Sequence, residues 1–372
     1  MALKKKQKRL VFFLPNFDVG GASESILKLT KFLIKYNFSI LIISLGKNYY
    51  KKDFKKINCE IIELKSSKVS FSILKLRKIM VNEIRKHFDK IIFISNINYA
   101  NIISLISLVN LDKIKIILTE RSSISELKYS DNLIRKLKNK LIYLFAKFLY
   151  KFSDLVITNS KFEEDYIKYN FKLKNIICIH PPSIKNIIKK NKNNYNNKKI
   201  PHIIYVGRLS KDKGVFVILK ALAKLKKKYS FFFSFYGNGP DKKSIKKFIL
   251  KNNLSDMVLL KGFFKDKKFI FKNADLFINA SLWEGLPNAL VQSINYNVFP
   301  ICSDAPGGNL EVIKKGKLGM SFKTNSEKDL QKKIAKFLNK RLILNNKARI
   351  DHLENYTEQQ SNQRYLKTLN KI

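Results

Sequence analysis

The sequence predicts an α/β protein of two parallel-sheet domains, each sheet covered by helices on both faces. Short continuous apolar runs rich in Ile, Phe and Val alternate with amphipathic stretches of helical period along nearly all of the 372 residues, the pattern of strands buried on both sides. The alternation breaks once, at 183–202, "SIKNIIKKNKNNYNNKKIPH", where Lys and Asn replace the apolar periodicity between Pro181, Pro182 and Pro201. The length suits two cores, each large enough to form without disulfides.

The elements follow in order. Residues 1–182 read as strand "LVFFL", a helix from Ser23 to about Tyr36, strands "FSILIIS" and "CEIIEL", and a helix around Ser70 to His87. Strand "KIIFIS", a buried helix from about Asn98, strand "IKIILTE", a helix Leu133–Phe152, strand "DLVITNS", a helix Phe162–Tyr169 and "NIICIHPP" complete a Rossmann-like series. After the linker, 203–350 begin a second series with "HIIYVG", a helix Val215–Lys227, "FFFSFYG", a helix Lys242–Lys251, "MVLLKG" and "DLFINAS". A helix around Leu286–Tyr296, "VFPICS", a short helix opening at Asn309 and a helix from Ser326 to about Leu338 close that series, and 351–372 read as a C-terminal helix. Two such sheets facing each other leave a cleft at their carboxyl ends, where open α/β sheets bind ligands.

The net charge of +46 is evenly spread, +20 over residues 1–180 and +26 over 181–372. No recognition motif or focused basic stripe accompanies it, which argues against specific nucleic-acid binding; a surface this positive is drawn to anionic lipid at low salt. The stretch Ile91–Leu111, "IIFISNINYANIISLISLVNL", is uncharged and long enough to cross a bilayer, but Asn96, Asn98, Asn101 and Asn110 would be costly there. A strand followed by a buried helix explains it better. Residues 133–152, "LIRKLKNKLIYLFAKFLYKF", suit an interfacial helix on anionic lipid and a packed amphipathic helix equally. The opening apolar run ends at Pro15, too short for a signal peptide, and Cys59, Cys178 and Cys302 lack metal-type spacing. A cytoplasmic protein is the expectation, with a peripheral place on the inner face of a membrane as the open alternative.

Several turns carry chemistry. "VGGAS" puts Gly20 and Gly21 between the first strand and its helix, either a tight connection or an anion cradle. "YVGRLSKDKGV" puts Arg208 and Lys213 past the first strand of the second domain, two cations read as having no nearby acid, which suits a diphosphate. "FYGNGPD" supplies Gly237 and Gly239, and "DAPGGNLEVI" supplies Gly307, Gly308 and Asn309 at a helix start. The segment "SLWEGLPNALVQSI" holds one carboxylate, Glu284, with Gln292 eight places on.

Together "GGAS", "VGRLSKDKG", "YGNGP", "LWEGLPNALVQS" and "APGGNLEVI", in this order, resemble the retaining GT-B glycosyltransferases of family four. The resemblance implies two Rossmann-like domains facing a central cleft, with the C-terminal helix crossing back to the first domain. It further implies a nucleotide-sugar donor, expected to be a UDP-sugar, in the second domain, and a glycan or lipid-linked acceptor of cell-envelope or surface polysaccharide in the first. By that resemblance Arg208 and Lys213 bind the donor diphosphate and Gly21 approaches it from the other side. The amides of Gly307, Gly308, Asn309 and Leu310 contact the donor, with Gly237 beside them. Glu284 takes the place of the glutamate that faces the donor sugar, and Gln292 that of a second glutamate on the ribose. An amide oxygen can still accept from a ribose hydroxyl, without charge assistance; a tolerated change and an inactive chain both remain open.

No cofactor is expected beside the donor. Metal-independent transfer is expected too, because no Asp-x-Asp occurs and His87, His180, His202 and His352 show no ligand spacing. In the first domain "LTERSSIS" makes Arg121, with Glu120 and Ser122, the candidate for facing acceptor or donor, a plain surface loop being the alternative. Sugar-nucleotide epimerases share the fold and form the competing class.

Overall fold

The computed structural model describes residues 8–17, 20–66, 69–86, 88–128, 133–189 and 200–372. Val19 of the glycine turn, His87 and residues 190–199 of the expected linker lie outside the described residues. The chain forms two compact units, Met1–Pro182 with Gln359–Ile372, and Ser183–Glu358.

Among the described residues of the first unit seven strands pair in parallel: β1 (Lys8–Phe13), β2 (Phe38–Ser44), β3 (Glu60–Glu63), β4 (Lys90–Asn96), β5 (Ile114–Glu120), β6 (Leu155–Thr158) and β7 (Ile176–Cys178). Their order is β3-β2-β1-β4-β5-β6-β7. Successive residues of a strand point to opposite faces, so the unbroken apolar runs divide between two cores. Leu10, Phe12, Ile40, Ile42, Ile92 and Ile94 pack on one side, and Val11, Phe13, Leu41, Ile43 and Phe93 on the other. The last helix, Glu358–Lys371, belongs here and adds Tyr365 and Leu369 to the first of these cores.

Arg9 stands in β1 just before its apolar run and is fully buried. Its Nε meets Glu83 Oε2 at 2.7 Å, its Nη2 meets Glu60 Oε2 at 2.8 Å, and its Nη1 donates to Ser39 Oγ at 2.6 Å. Multiple partners are what make a buried guanidinium tolerable, and the same contacts hold the Glu60 carboxyl below its usual range.

The uncharged stretch resolves into β4 and a buried helix, Asn98–Leu108. Its buried asparagines are bonded inside the unit: Asn96 Nδ2 donates to Phe13 O at 3.1 Å, Asn98 Nδ2 to Glu126 Oε1 at 3.3 Å, and Asn101 Nδ2 to Glu120 Oε1 at 3.0 Å. Among the described residues no helix is long and apolar enough to cross a membrane.

The second unit carries β8 (His202–Val206), β9 (Phe232–Tyr236), β10 (Val258–Gly262), β11 (Leu276–Asn279), β12 (Phe299–Ser303) and β13 (Met320–Phe322). All pair in parallel in the order β10-β9-β8-β11-β12-β13. The chain enters and leaves this unit side by side: Ser183 N donates to Tyr356 O at 3.1 Å, and Glu358 N to Ile184 O at 2.9 Å. Arg349, fully buried, fastens the entering segment to the helix Asn288–Asn295, donating to Ile188 O at 2.8 Å and Asn295 O at 3.0 Å.

Candidate active site

Three loops at the carboxyl edge of the second sheet converge on Glu284. The loop after β8 ends in the short turn Lys211–Lys213 and at Gly214, whose φ is +63°. A Cβ on Gly214 would lie 1.9 Å from Ala280 O, so only glycine lets this loop press against the one leaving β11. Leu282 N donates to Asp212 O at 2.8 Å and joins the two. The loop after β12 approaches as closely: Gly307 has φ +121°, and a Cβ there would lie 1.6 Å from Glu284 O. Glu284 N donates to Pro306 O at 3.0 Å, and Gly308 N to Gly285 O at 2.9 Å.

These contacts bring together residues far apart in sequence. Lys213 Nζ donates to Glu284 Oε1 at 2.8 Å, with both side chains mostly shielded, at 20% and 16% exposure. Ser281 Oγ lies 2.7 Å from the same oxygen and 2.9 Å from Asn279 Oδ1. Asn279 Nδ2 donates to Asn309 Oδ1 at 3.0 Å, Asn309 Nδ2 to Ser303 O at 2.9 Å, and Ser303 Oγ back to Ser281 O at 2.6 Å. This buried ring of small polar side chains sits beneath the carboxylate and restricts it. A mutually bonded network of this kind rigidifies what it supports.

The expectation that Arg208 and Lys213 have no nearby acid is corrected. Lys213 is paired with Glu284, and Arg208 Nη2 lies 3.8 Å from Asp212 Oδ2. Asp212 stands in "SKDKG" itself, where i to i+4 spacing brings it under Arg208. The guanidinium is nevertheless 66% exposed, and the ammonium has three N–H donors. The backbone of Arg208 is fixed by the buried Tyr205, whose hydroxyl donates to Arg208 O at 2.7 Å. Burial above all, then Glu284 and Asp212, hold that phenol well above its usual range, so it remains a donor.

The glycines have distinct duties. Gly237, φ +147°, lets β9's end pass Gly207 O, which a Cβ would meet at 1.8 Å. Gly308's amide is already engaged by Gly285 O, which corrects its expected place among the donor-facing amides. Asn309 uses its side chain in the buried ring and opens the helix Asn309–Val312 with its backbone; Leu310, the next residue, is 37% exposed. Gln292 lies on the helix after Glu284's loop, and its Nε2 donates to Ser183 O at 3.0 Å.

In the first unit Gly21 opens the helix Gly21–Leu33, with Gly20 as its cap. Arg121 follows β5 and is no free surface loop. Its Nε donates to Asn96 Oδ1 at 3.1 Å, its Nη1 to Ser25 Oγ at 3.3 Å, and its carbonyl accepts from Asn159 Nδ2 at 2.8 Å. Beside it Ile97 adopts φ +80°, ψ 135°, a backbone region essentially reserved for glycine and found where a site dictates it. Glu120 is corrected: it is buried, bonded to Asn101 and to the Tyr150 hydroxyl, and faces the helices on the sheet. Strand alternation turns Glu120 inward, so it cannot meet an acceptor. Burial pushes its carboxyl up to about 8. Tyr205, Asn279, Ser281 and Ser303 stand in the strand-end segments without a signal of their own, and only their contacts reveal their part.

Two parallel-sheet units of this topology define a GT-B α/β protein. Residues 184–359, nearly all of the second unit, match the family Glycosyl transferases group 1. A glycosyltransferase of Methanocaldococcus jannaschii, MJ1059, is 29% identical over 262 residues, 65% of this chain; the chain covers 62% of its length. An N-acetylgalactosamine-N,N'-diacetylbacillosaminyl-diphospho-undecaprenol 4-alpha-N-acetylgalactosaminyltransferase of Campylobacter jejuni is 25% identical over 338 residues, covering 87% of this chain and 88% of that protein. HepE of Anabaena, solved in complex with UDP, shares the fold at TM-score 0.75 and 15% identity, over 98% of this chain and all of that one.

Proposed function

We propose that the chain is a retaining, metal-independent hexosyltransferase that moves a sugar from a UDP-sugar to a glycan or lipid-linked acceptor in envelope or surface polysaccharide synthesis. The observation that carries this is the Lys213–Glu284 pair, fixed by three glycine-dependent loops at a sheet's carboxyl edge, with the exposed Arg208 guanidinium on the same loop. In the reaction the bond from the anomeric carbon to the diphosphate oxygen breaks, and its electron pair leaves with UDP. The acceptor oxygen forms the new bond and its proton passes to a departing phosphate oxygen. Arg208 and Lys213 stabilise the charge that develops on the diphosphate, in place of a metal. Glu284, held by Ser281 and Lys213, faces the positive charge that develops at the sugar. The acceptor class is supported by the Campylobacter relative, whose name specifies a diphospho-undecaprenol-linked acceptor, and UDP by the ligand of HepE.

The test is mass spectrometry of the products after incubation with a panel of nucleotide sugars and membrane extract. Free UDP with a sugar added to an extract component is expected. A sugar nucleotide converted without any acceptor would assign the chain to the epimerases instead.

A further inference from the structure

The helix Leu133–Leu149 has two apolar faces, and the fold accounts for only one. Ile142, Tyr143, Ala146 and Leu149 pack against the core beside it. On the other side Leu133, Leu137, Leu141, Leu144, Phe145 and Phe148 project outward, between 48% and 82% exposed. At 3.6 residues per turn these six fall within about 120° of arc, pointing away from the packed face. A solvated helix face would be polar; this one is a stripe of leucine and phenylalanine.

Its borders are basic. On the same helical geometry Lys136, Lys140 and Lys147 run along one edge of the stripe and Lys138 lies on the other. Residues 133–152 contain six Lys and Arg and no Asp or Glu. Past the helix, Phe152 is also exposed, and Lys151 Nζ lies 4.2 Å from the Phe148 ring centre and 5.1 Å from that of Phe152. An ammonium held over exposed aromatic rings sets a cation beside the stripe, in reach of headgroups while the neighbouring apolar side chains enter the acyl boundary.

We infer that this outward face is a docking surface for an anionic lipid bilayer. Charge decides among the possible occupants. A second copy would bring six cations against six with no acid between them, and a nucleic acid would want cations at the centre of the face, where this helix carries leucine and phenylalanine. A bilayer bearing anionic headgroups matches both features, apolar area at the centre and positive charge at the rim. The inference stands apart from the transfer reaction, because docking needs neither donor nor acceptor.

The experiment is cosedimentation of the full chain with phosphatidylcholine vesicles, with and without phosphatidylglycerol. Binding to the phosphatidylglycerol vesicles should exceed binding to phosphatidylcholine alone by about tenfold or more. A triple variant, Leu137→Ser, Leu141→Ser and Phe148→Ser, changes only exposed side chains and should lose most of that binding while unfolding at the wild-type temperature. The triple variant Lys243→Gln, Lys246→Gln and Lys247→Gln removes three charges from another helix and should keep it. The single variant Phe148→Trp reports position directly, and its added emission should shift to the blue on phosphatidylglycerol vesicles alone. Wild-type binding by the serine variant, equal loss in the glutamine variant, or an unshifted tryptophan in the bound protein would each overturn the inference. So would a dimer that the serine substitutions dissociate in the absence of lipid.

Discussion

Lys213 and Glu284, 71 residues apart in sequence, meet at 2.8 Å because glycine at 214 and at 307 lets three loops touch backbone to backbone. The pair is therefore as good as the loop packing that makes it, and that packing can be disturbed without touching either charge.

Gly307→Ala should be the more damaging of two glycine changes. Its Cβ would stand 1.6 Å from Glu284 O at φ +121°, against 1.9 Å from Ala280 O at φ +63° for Gly214→Ala. Backbone atoms on both sides leave nothing flexible to give way, so each substitution should cost about 2–4 kcal/mol of unfolding free energy, measured in urea. A loss below about 0.5 kcal/mol at both positions would mean that the loops do not pack this closely.

Gln292 gains a new expectation from the structure. The resemblance alone suggests that glutamate at 292 would keep or improve donor affinity. Nε2, however, donates to Ser183 O, and an ionised carboxylate there would set an oxygen against a carbonyl with no proton between. Gln292→Glu should lower stability by about 1–3 kcal/mol at neutral pH. The effect should shrink as pH falls and the carboxyl protonates. Thermal unfolding of the variant across pH checks this, and unchanged stability at neutral pH would return Gln292 to the ribose alone.

Glu120 makes stability depend on pH in a predictable direction. Burial pushes its folded carboxyl up to about 8, against ~4.3 for an unfolded glutamate. Between those values the native state holds a proton that the unfolded state has lost, so stability falls as pH rises through this window and levels off above it. Glu163, buried and pushed up to about 7, adds a slope of the same sign. Glu120→Gln keeps an oxygen for Asn101 and Tyr150 and should flatten the curve, leaving the variant more stable than wild type at about pH 8. Denaturation midpoints over the range decide it; parallel curves for the two proteins would contradict a protonated Glu120.

Initial rates should be unaffected by a chelator, since the carboxylate at the site is already held by Lys213 and Ser281. Abolition by EDTA with rescue by a divalent ion would reject this.

Strand boundaries were legible wherever the apolar run was long: "FSILIIS" and "IKIILTE" are β2 and β5 to the residue. The helices Lys51–Lys56 and Lys267–Lys272 and the three-residue β13 were not, because six residues or fewer show no period. Within the site, glycines and cations announced themselves by position at strand ends. Glu120 misled because adjacency to Arg121 in sequence reverses direction in a strand. The ring of Ser281, Asn279, Asn309 and Ser303 was illegible, since nothing local distinguishes a buried serine that closes a network from one on a surface turn.

The most direct measurement is the turnover of Lys213→Ala, Glu284→Gln and the double variant with the true donor, in proteins shown to be folded. Each single variant should lose on the order of a hundredfold or more in kcat/KM. The double variant should lose far less than the product of the two, because the residues act as one unit. Wild-type turnover in either folded single variant would contradict the assignment of this pair to sugar transfer.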